Sequence, residues 1–139
     1  MQPILLDASV IVALLDRRDH YHPACAEYLR GSKRPLLTCE AVISESCFLL
    51  ASSSAAQESV LRNVVEGIFQ IPFIFSRSAA QVSAILRKYS NVPASFADAC
   101  LIHMADELNT GDILTLDSDF KHYRWRRNRA FRLLIPLER

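Results

Sequence analysis

The stretch "PILLDASVIVALLDRRD", Pro3 to Asp19, decides the fold. Ile4, Leu5 and Leu6 make an unbroken apolar triplet, the pattern of a strand buried on both faces. After Asp7 the spacing changes, and "ASVIVALLDRRD" continues as a helix whose apolar positions Val10, Val12, Ala13 and Leu14 lean to one side. A buried strand feeding directly into a helix begins a βα unit, and an aspartate stands at the junction.

The same alternation runs outward along the chain. "HPACAEYLRG" reads as a second helix, with Pro23 in its first turn and Gly31 at its stop. "RPLLTC" reads as a second strand, followed by a helix through "EAVISESCFLLAS" and, after "SSSAA", another through "QESVLRNVVEGIFQ". "IPFIF" is the expected third strand, and Ser78 to Tyr89 the next helix, from Ala79, Val82, Ile85 and Leu86. "FADACLIHMADEL" puts Ala97, Leu101, Met104, Ala105 and Leu108 on one face. "TGDILTLD" turns into a strand, and "FRLLIPL" supplies the last one. Strands alternating with helices predict an α/β domain with a mostly parallel sheet covered on both faces. With 139 residues, half of them hydrophobic, the chain is long enough for one domain over 1–139 whose core needs no disulfide or structural metal. No repeat, linker or low-complexity segment interrupts it.

Composition narrows the function classes. The apolar runs are far too short to span a bilayer, and no charged n-region with a long apolar segment opens the chain, so a soluble cytoplasmic protein without a membrane role is expected. Cys25, Cys39, Cys47 and Cys100 form no CxxC pair and have no His partner at zinc spacing, which predicts small buried thiols in a reducing compartment. His20, His22, His103 and His122 share no spacing with a nucleophile, so surface and packing roles are expected. The net charge of +1 excludes a surface coated in basic residues, yet "KHYRWRRNRAFR" holds Lys121, Arg124, Arg126, Arg127, Arg129 and Arg132 with no acid among them. Lys121, Arg124, Arg126 and Arg127, interleaved with Tyr123 and Trp125, are candidate RNA contacts on the pattern of a groove that holds phosphates and stacks bases. The plainer reading is a solvated loop whose charge protects an edge strand.

The acids fall where such a fold binds ligands, beyond the carboxyl ends of parallel strands. Asp7 ends the first strand and Asp117 ends "ILTL"; Asp98 follows Ser95 at capping-box spacing; Glu45 projects into an apolar stripe between Ala41, Phe48, Val42 and Leu49. Each has a local explanation: a helix N-cap for Asp7, an Asx-turn for Asp117 or Asp119, a first-turn dipole partner for Asp98, an intra-core hydrogen bond for Glu45. If the strands of Asp7 and Asp117 are neighbours, however, all four acids meet in one cleft, where like charges raise one another's pKa and a divalent metal resolves the conflict. An all-oxygen donor set points to Mg²⁺ or Mn²⁺ rather than zinc, ions that serve phosphodiester cleavage. Hydroxyls at Ser9 and Thr115 are placed either to orient that chemistry or to make ordinary local hydrogen bonds. A phosphatase of the haloacid dehalogenase type needs a second Asp where this chain has Ser9, and a receiver domain needs a Lys after a late strand, so neither pattern is met.

"ILLDASVIVALLD", "LLTCEAVISESCFLL", "SFADACLIHMADEL" and "ILTLDSDF" resemble, in that order, the blocks that carry the acidic residues of PIN-domain ribonucleases, especially the VapC-like toxins of bacterial toxin–antitoxin pairs. The resemblance implies a PIN-like three-layer α/β/α sandwich with a short, mostly parallel central sheet. It makes Asp7, Glu45, Asp98 and Asp117 the catalytic, metal-binding acids, with Asp119 as an additional metal-binding acid and Ser9 and Thr115 as supporting hydroxyls. The implied activity is Mg²⁺- or Mn²⁺-dependent endonucleolytic cleavage of RNA by a homodimer that a cognate antitoxin silences. A catalytically silent PIN domain that binds RNA or a partner protein is the alternative.

Overall fold

The structure, a computed structural model, describes residues 1–92 and 94–138. Strand β1 (Ile4–Leu6) is wholly buried and pairs in parallel with β2 (Leu36–Leu37) on one side and β4 (Asp112–Leu114) on the other. With β3 (Phe69–Gln70) beyond β2 and β7 (Arg132–Leu133) beyond β4, the sheet runs β3-β2-β1-β4-β7, parallel throughout. The chain winds outward from β1 to β3, then returns to the other side of β1. The topological switch point therefore lies between β1 and β4.

Helices α1 (Ala8–Leu15), α2 (His22–Gly31), α3 (Glu40–Leu49), α4 (Ser54–Val65), α5 (Phe75–Lys88) and α6 (Phe96–Leu108) flank this sheet. Helix α1 packs on α2 and α3, and α5 packs on α6. The core is formed by β1, Ile113 and Leu114 of β4, Val10 and Ile11 of α1, and Leu101, Met104 and Ala105 of α6, all fully buried. Helix α6 starts in a capping box, in which Ser95 accepts from the Asp98 N–H while Asp98 accepts from the Ser95 N–H, and ends on Asn109 in the left-handed conformation. Cys25, Cys39 and Cys100 are buried and all four thiols are free. No helix of the described residues is long and apolar enough to cross a membrane.

Several expectations need correction. The third strand is Phe69–Gln70, not "IPFIF"; Gly67, at φ +77°, ends the preceding helix early, and Phe75 already begins α5. Helix α1 stops at Leu15, where the Asp16 N–H still bonds the Val12 carbonyl but Asp16 itself turns extended. "RWRRNRA" folds into an antiparallel hairpin of β5 (Arg124–Trp125) and β6 (Arg129–Ala130), which packs on α6. Its turn carries Arg126 and Arg127 at φ 42° and 72°, a conformation usually left to Gly or Asn, so no turn signature announces it. The hairpin is pinned instead: the Arg126 N–H donates to Asp106 at 2.6 Å, and Trp125 lies so close to Gly111 that a Cβ there would sit 2.1 Å from the indole nitrogen.

Candidate active site

A cleft of about 310 Å³ opens at the switch point, lined by Asp7, Glu45, Asp98, Asp117 and Asp119 together with Ala8, Ser9, Leu49 and Ser95. The expectation that the strands of Asp7 and Asp117 adjoin is met by the β1–β4 pairing, and the Asp7 N–H itself bonds the Leu114 carbonyl at 3.0 Å.

Local physics aims each acid. Asp7 caps α1, its Oδ1 accepting from the Ala8 N–H at 2.8 Å, while Oδ2 accepts from the Thr115 hydroxyl at 2.6 Å and the Ser9 hydroxyl at 3.2 Å. Ser9 also accepts from the Leu116 N–H at 2.9 Å and Thr115 from the Asp117 N–H at 3.1 Å, so the two hydroxyls stitch the ends of β1 and β4 together. Asp117 accepts from the Asp119 N–H at 2.9 Å, opening a single 3-10 turn over Ser118–Lys121. Asp98 is held by Ser95 and by the Tyr123 hydroxyl, which donates to Oδ2 at 3.1 Å. Turn, cap and cleft-lining are thus roles that the same aspartates fill together.

Glu45 corrects the expected apolar stripe. The face of α3 turned to the core is Val42, Ser46 and Leu50; Ser46 is buried because its hydroxyl donates to the Val42 carbonyl, and Phe48 is 78% exposed. Glu45 therefore stands on the more open side of the helix and reaches the cleft from there, where its desolvation is partial rather than that of an inward position.

The charges press on one another. Burial drives the Asp7 pKa up to about 6, with the neighbouring Asp98 and Glu45 carboxylates adding to the rise and the Thr115 and Ala8 hydrogen bonds opposing it. Burial likewise raises Glu45 and Asp98, each assisted by the Asp117 charge. Among the described residues no Lys or Arg lines the cleft. Among the described residues no three His, Cys, Asp or Glu side chains, as they lie, stand close enough to hold a metal ion. Uncompensated carboxylates repel, and a donor set of five carboxylates and two serine hydroxyls suits a hard divalent cation, which would draw them inward.

The basic segment is divided. Arg124 donates its guanidinium to the Lys121 and Tyr123 carbonyls, Arg126 to the Asp106 carbonyl, and Arg132 to Asp112, while Lys121, Arg127 and Arg129 are exposed. Tyr123 and Trp125 are buried rather than available for base stacking; Trp125 lies under Arg129 at 5.3 Å and donates its indole N–H to the Ala130 carbonyl. Sequence reading missed the contact of Tyr123 with Asp98, because two residues 25 apart meet only once the chain after β4 has folded back over α6.

The family model of the PIN domain matches residues 4–126. The chain belongs to the PIN domain family. It is 28% identical over 116 residues to a protein named Ribonuclease VapC26 from Mycobacterium tuberculosis (strain ATCC 25618 / H37Rv), an alignment covering 82% of this chain and 86% of that one. Its fold matches the crystal structure of Mycobacterium tuberculosis VapC20, described as a sarcin–ricin loop cleaving toxin, at a TM-score of 0.78 and 17% identity over 86% of this chain and 93% of the other. The expected three-layer fold with its parallel central sheet is thereby met.

Proposed function

We propose that this PIN domain is a metal-dependent endoribonuclease, the toxin of a toxin–antitoxin pair, acting on cytoplasmic RNA. The observation that carries the reading is the gathering of five carboxylates at the switch point of the sheet, with no Lys or Arg beside them among the described residues. The similarity to proteins named as a ribonuclease and as an RNA-cleaving toxin supports the same chemistry.

Asp7, Glu45, Asp98 and Asp117 would hold Mg²⁺ or Mn²⁺, with Asp119 beside Asp117 as a fifth ligand. When bound there, the ion supplies a polarised water and charge neutralisation at the departing oxygen. Thr115 and Ser9 fix both the rotamer and the hydrogen-bonding state of Asp7, and Ser95 does the same for Asp98. Lys121 and Arg127 offer phosphate contacts; Arg124 and Arg126 contribute charge while their guanidinium groups brace the hairpin. Hydrolysis with loss of the 3′ oxygen leaves a 5′-phosphate and a 3′-hydroxyl and asks no side chain to act as nucleophile. Exposed Phe48 and Leu49 beside the cleft, and Phe75 and Phe96 on the adjoining face, support an antitoxin contact and a homodimer.

Incubation with RNA and Mn²⁺, with and without chelator, tests the activity. Cleavage abolished by chelator, together with a melting temperature raised by millimolar Mn²⁺, is the expected result. Chelator-insensitive cleavage would overturn the mechanism, and RNA binding without cleavage would leave the domain a binding module.

A further inference from the structure

Tyr123 stands at the root of the arginine hairpin, fully buried, with its ring edge-on to Tyr89 and to Phe120 at 5.0 Å each. Phe120 is itself fully buried, so the Tyr123 ring is clamped in one orientation. Its hydroxyl donates to Asp98 Oδ2 at 3.1 Å, and the Ser95 N–H donates to the same oxygen at 3.2 Å. A carboxylate oxygen has two lone pairs in its plane, so Oδ2 is saturated. Among the described residues no donor reaches Oδ1, so one oxygen of Asp98 is anchored and the other is left for the cleft.

A buried tyrosine needs some partner for its hydroxyl, and a backbone carbonyl would serve. The partner here is a carboxylate of the cleft, gripped from the opposite side by the helix cap. Two donors on one oxygen fix the carboxylate plane as well as its position, whereas the capping box alone leaves a rotation about the side-chain bond. The adjoining backbone is braced as well: the Arg124 N–H, next along the chain, donates to the Tyr89 hydroxyl at 2.8 Å.

We infer that Tyr123 is a positioning residue, which locks Asp98 so that Oδ1 alone is presented to the metal, and so couples the fold of the arginine hairpin to the geometry of the cleft. The inference rests on the cleft being a metal-holding nuclease site. Groups that orient a ligating carboxylate typically change metal affinity or activity about 10- to 100-fold when removed. Tyr123→Phe deletes one oxygen and keeps the ring packing.

Calorimetric titration with Mn²⁺ in the absence of RNA, alongside cleavage kinetics, gives the test. Tyr123→Phe is expected to weaken Mn²⁺ binding about tenfold and to lower kcat about tenfold while KM for RNA stays within twofold. In an Asp98→Asn background the same substitution is expected to add no further loss, because its effect passes through the carboxylate. Equal losses in both backgrounds, or Mn²⁺ binding and kcat within twofold of the parent, would overturn it. Tyr28→Phe, which removes a hydroxyl from a residue outside the cleft, is expected to leave Mn²⁺ binding unchanged. If the parent itself neither binds Mn²⁺ nor cleaves RNA, the reading of the cleft fails, and this inference with it. On the native chain labelled with ¹³C at the tyrosine ring carbons, Mg²⁺ should shift the Tyr123 hydroxyl-bearing carbon. An unmoved signal at saturating Mg²⁺ counts against the inference even where the variant does not fold.

Discussion

Asp7 and Asp112 belong to neighbouring strands and meet opposite surroundings. Asp112 opens β4 at the amino end of the sheet, where Arg34 reaches it at 2.6 Å and Arg132 at 2.8 and 3.0 Å. Burial alone would raise its pKa, but the hydrogen bonds and charges of Arg132 and Arg34 outweigh that and hold the carboxyl below its ordinary value. Asp7 follows β1 at the carboxyl end and receives only neutral donors, so burial and its acidic neighbours push it the other way. At one end charge is neutralised within the chain and braces the strands β4 and β7. At the other end charge is left uncompensated, and the proposed cation site rests on that surplus.

The sharpest way to break the comparison is to neutralise each acid in turn. Asp7→Asn is expected to cut RNA cleavage by at least about a hundredfold, since by the proposed function it removes a metal ligand rather than a neighbour of one. Its melting temperature should not fall, because a repelled carboxylate has gone. Asp112→Asn is expected to do the reverse, costing about 2 kcal/mol of stability by leaving Arg34 without its partner, with the cleavage rate preserved wherever the chain is folded. Paired cleavage rates and thermal melts separate the two. An inactive but fully stable Asp112→Asn variant would erase the distinction between the ends.

Acidity probes the same contrast at lower amplitude. The Asp7 pKa of about 6 lies above its value of 3.8 in an exposed chain, so between those limits the native state holds a proton that the unfolded state has released. The stability this confers is complete below the lower value and is lost as pH rises through 6, a loss of about 3 kcal/mol by neutral pH. Asp112 has the opposite sign: its contribution is present above the ordinary carboxylate range and disappears as pH falls through it. Metal-free protein should therefore melt several degrees higher at pH 5 than at pH 7. Asp7→Asn should flatten that slope and Asp112→Asn should not. A metal-free melting temperature that climbs steadily from pH 5 to pH 7 would contradict the crowding of the cleft.

What could be read beforehand, and what could not, follows the range of the interactions. Asp7 and Asp117 are legible because each closes a short apolar run, Ile4–Leu6 and "ILTL", a pattern local to a few residues. The α6 capping box was equally local, and α2 and α6 begin and end where periodicity places them. Glu45 reaches the cleft for a reason its sequence pattern does not show: the apolar stripe of α3 is not the face it buries, since Phe48 and Leu49 are left to solvent and Ser46 is enclosed. Strands of two residues such as β3 fall below any usable periodicity, and the neighbouring apolar run "IPFIF" carries the stronger strand signal. The hairpin was invisible because its turn is held by Asp106 and by the fit of Trp125 against Gly111, contacts made across 14 to 20 residues, and not by turn chemistry. Tyr123 reads in sequence as an aromatic among arginines, yet its hydroxyl meets an acid 25 positions away.

The arginines extend the comparison to positive charge, with the smallest expected effects. Arg132 is committed to Asp112, and Arg124 and Arg126 to backbone carbonyls, whereas among the described residues no carboxylate pairs with Arg127 or Arg129. If unpaired charge recruits and paired charge braces, the two groups should separate in RNA binding. Arg127→Ala is expected to weaken binding a few-fold regardless of RNA sequence, and to reduce the slope of log affinity against log salt by about 1, the signature of one lost phosphate contact. Arg132→Ala should leave that slope intact and lower the melting temperature instead. Arg127 also sits at φ 72°, where a side chain is disfavoured, so its Gly variant should relieve backbone strain while losing the same phosphate contact. A Gly variant that is more stable yet binds RNA more weakly would mean that the strained arginine is kept for its charge. One that binds RNA as the parent does, at every salt concentration, would place the RNA track elsewhere on the surface.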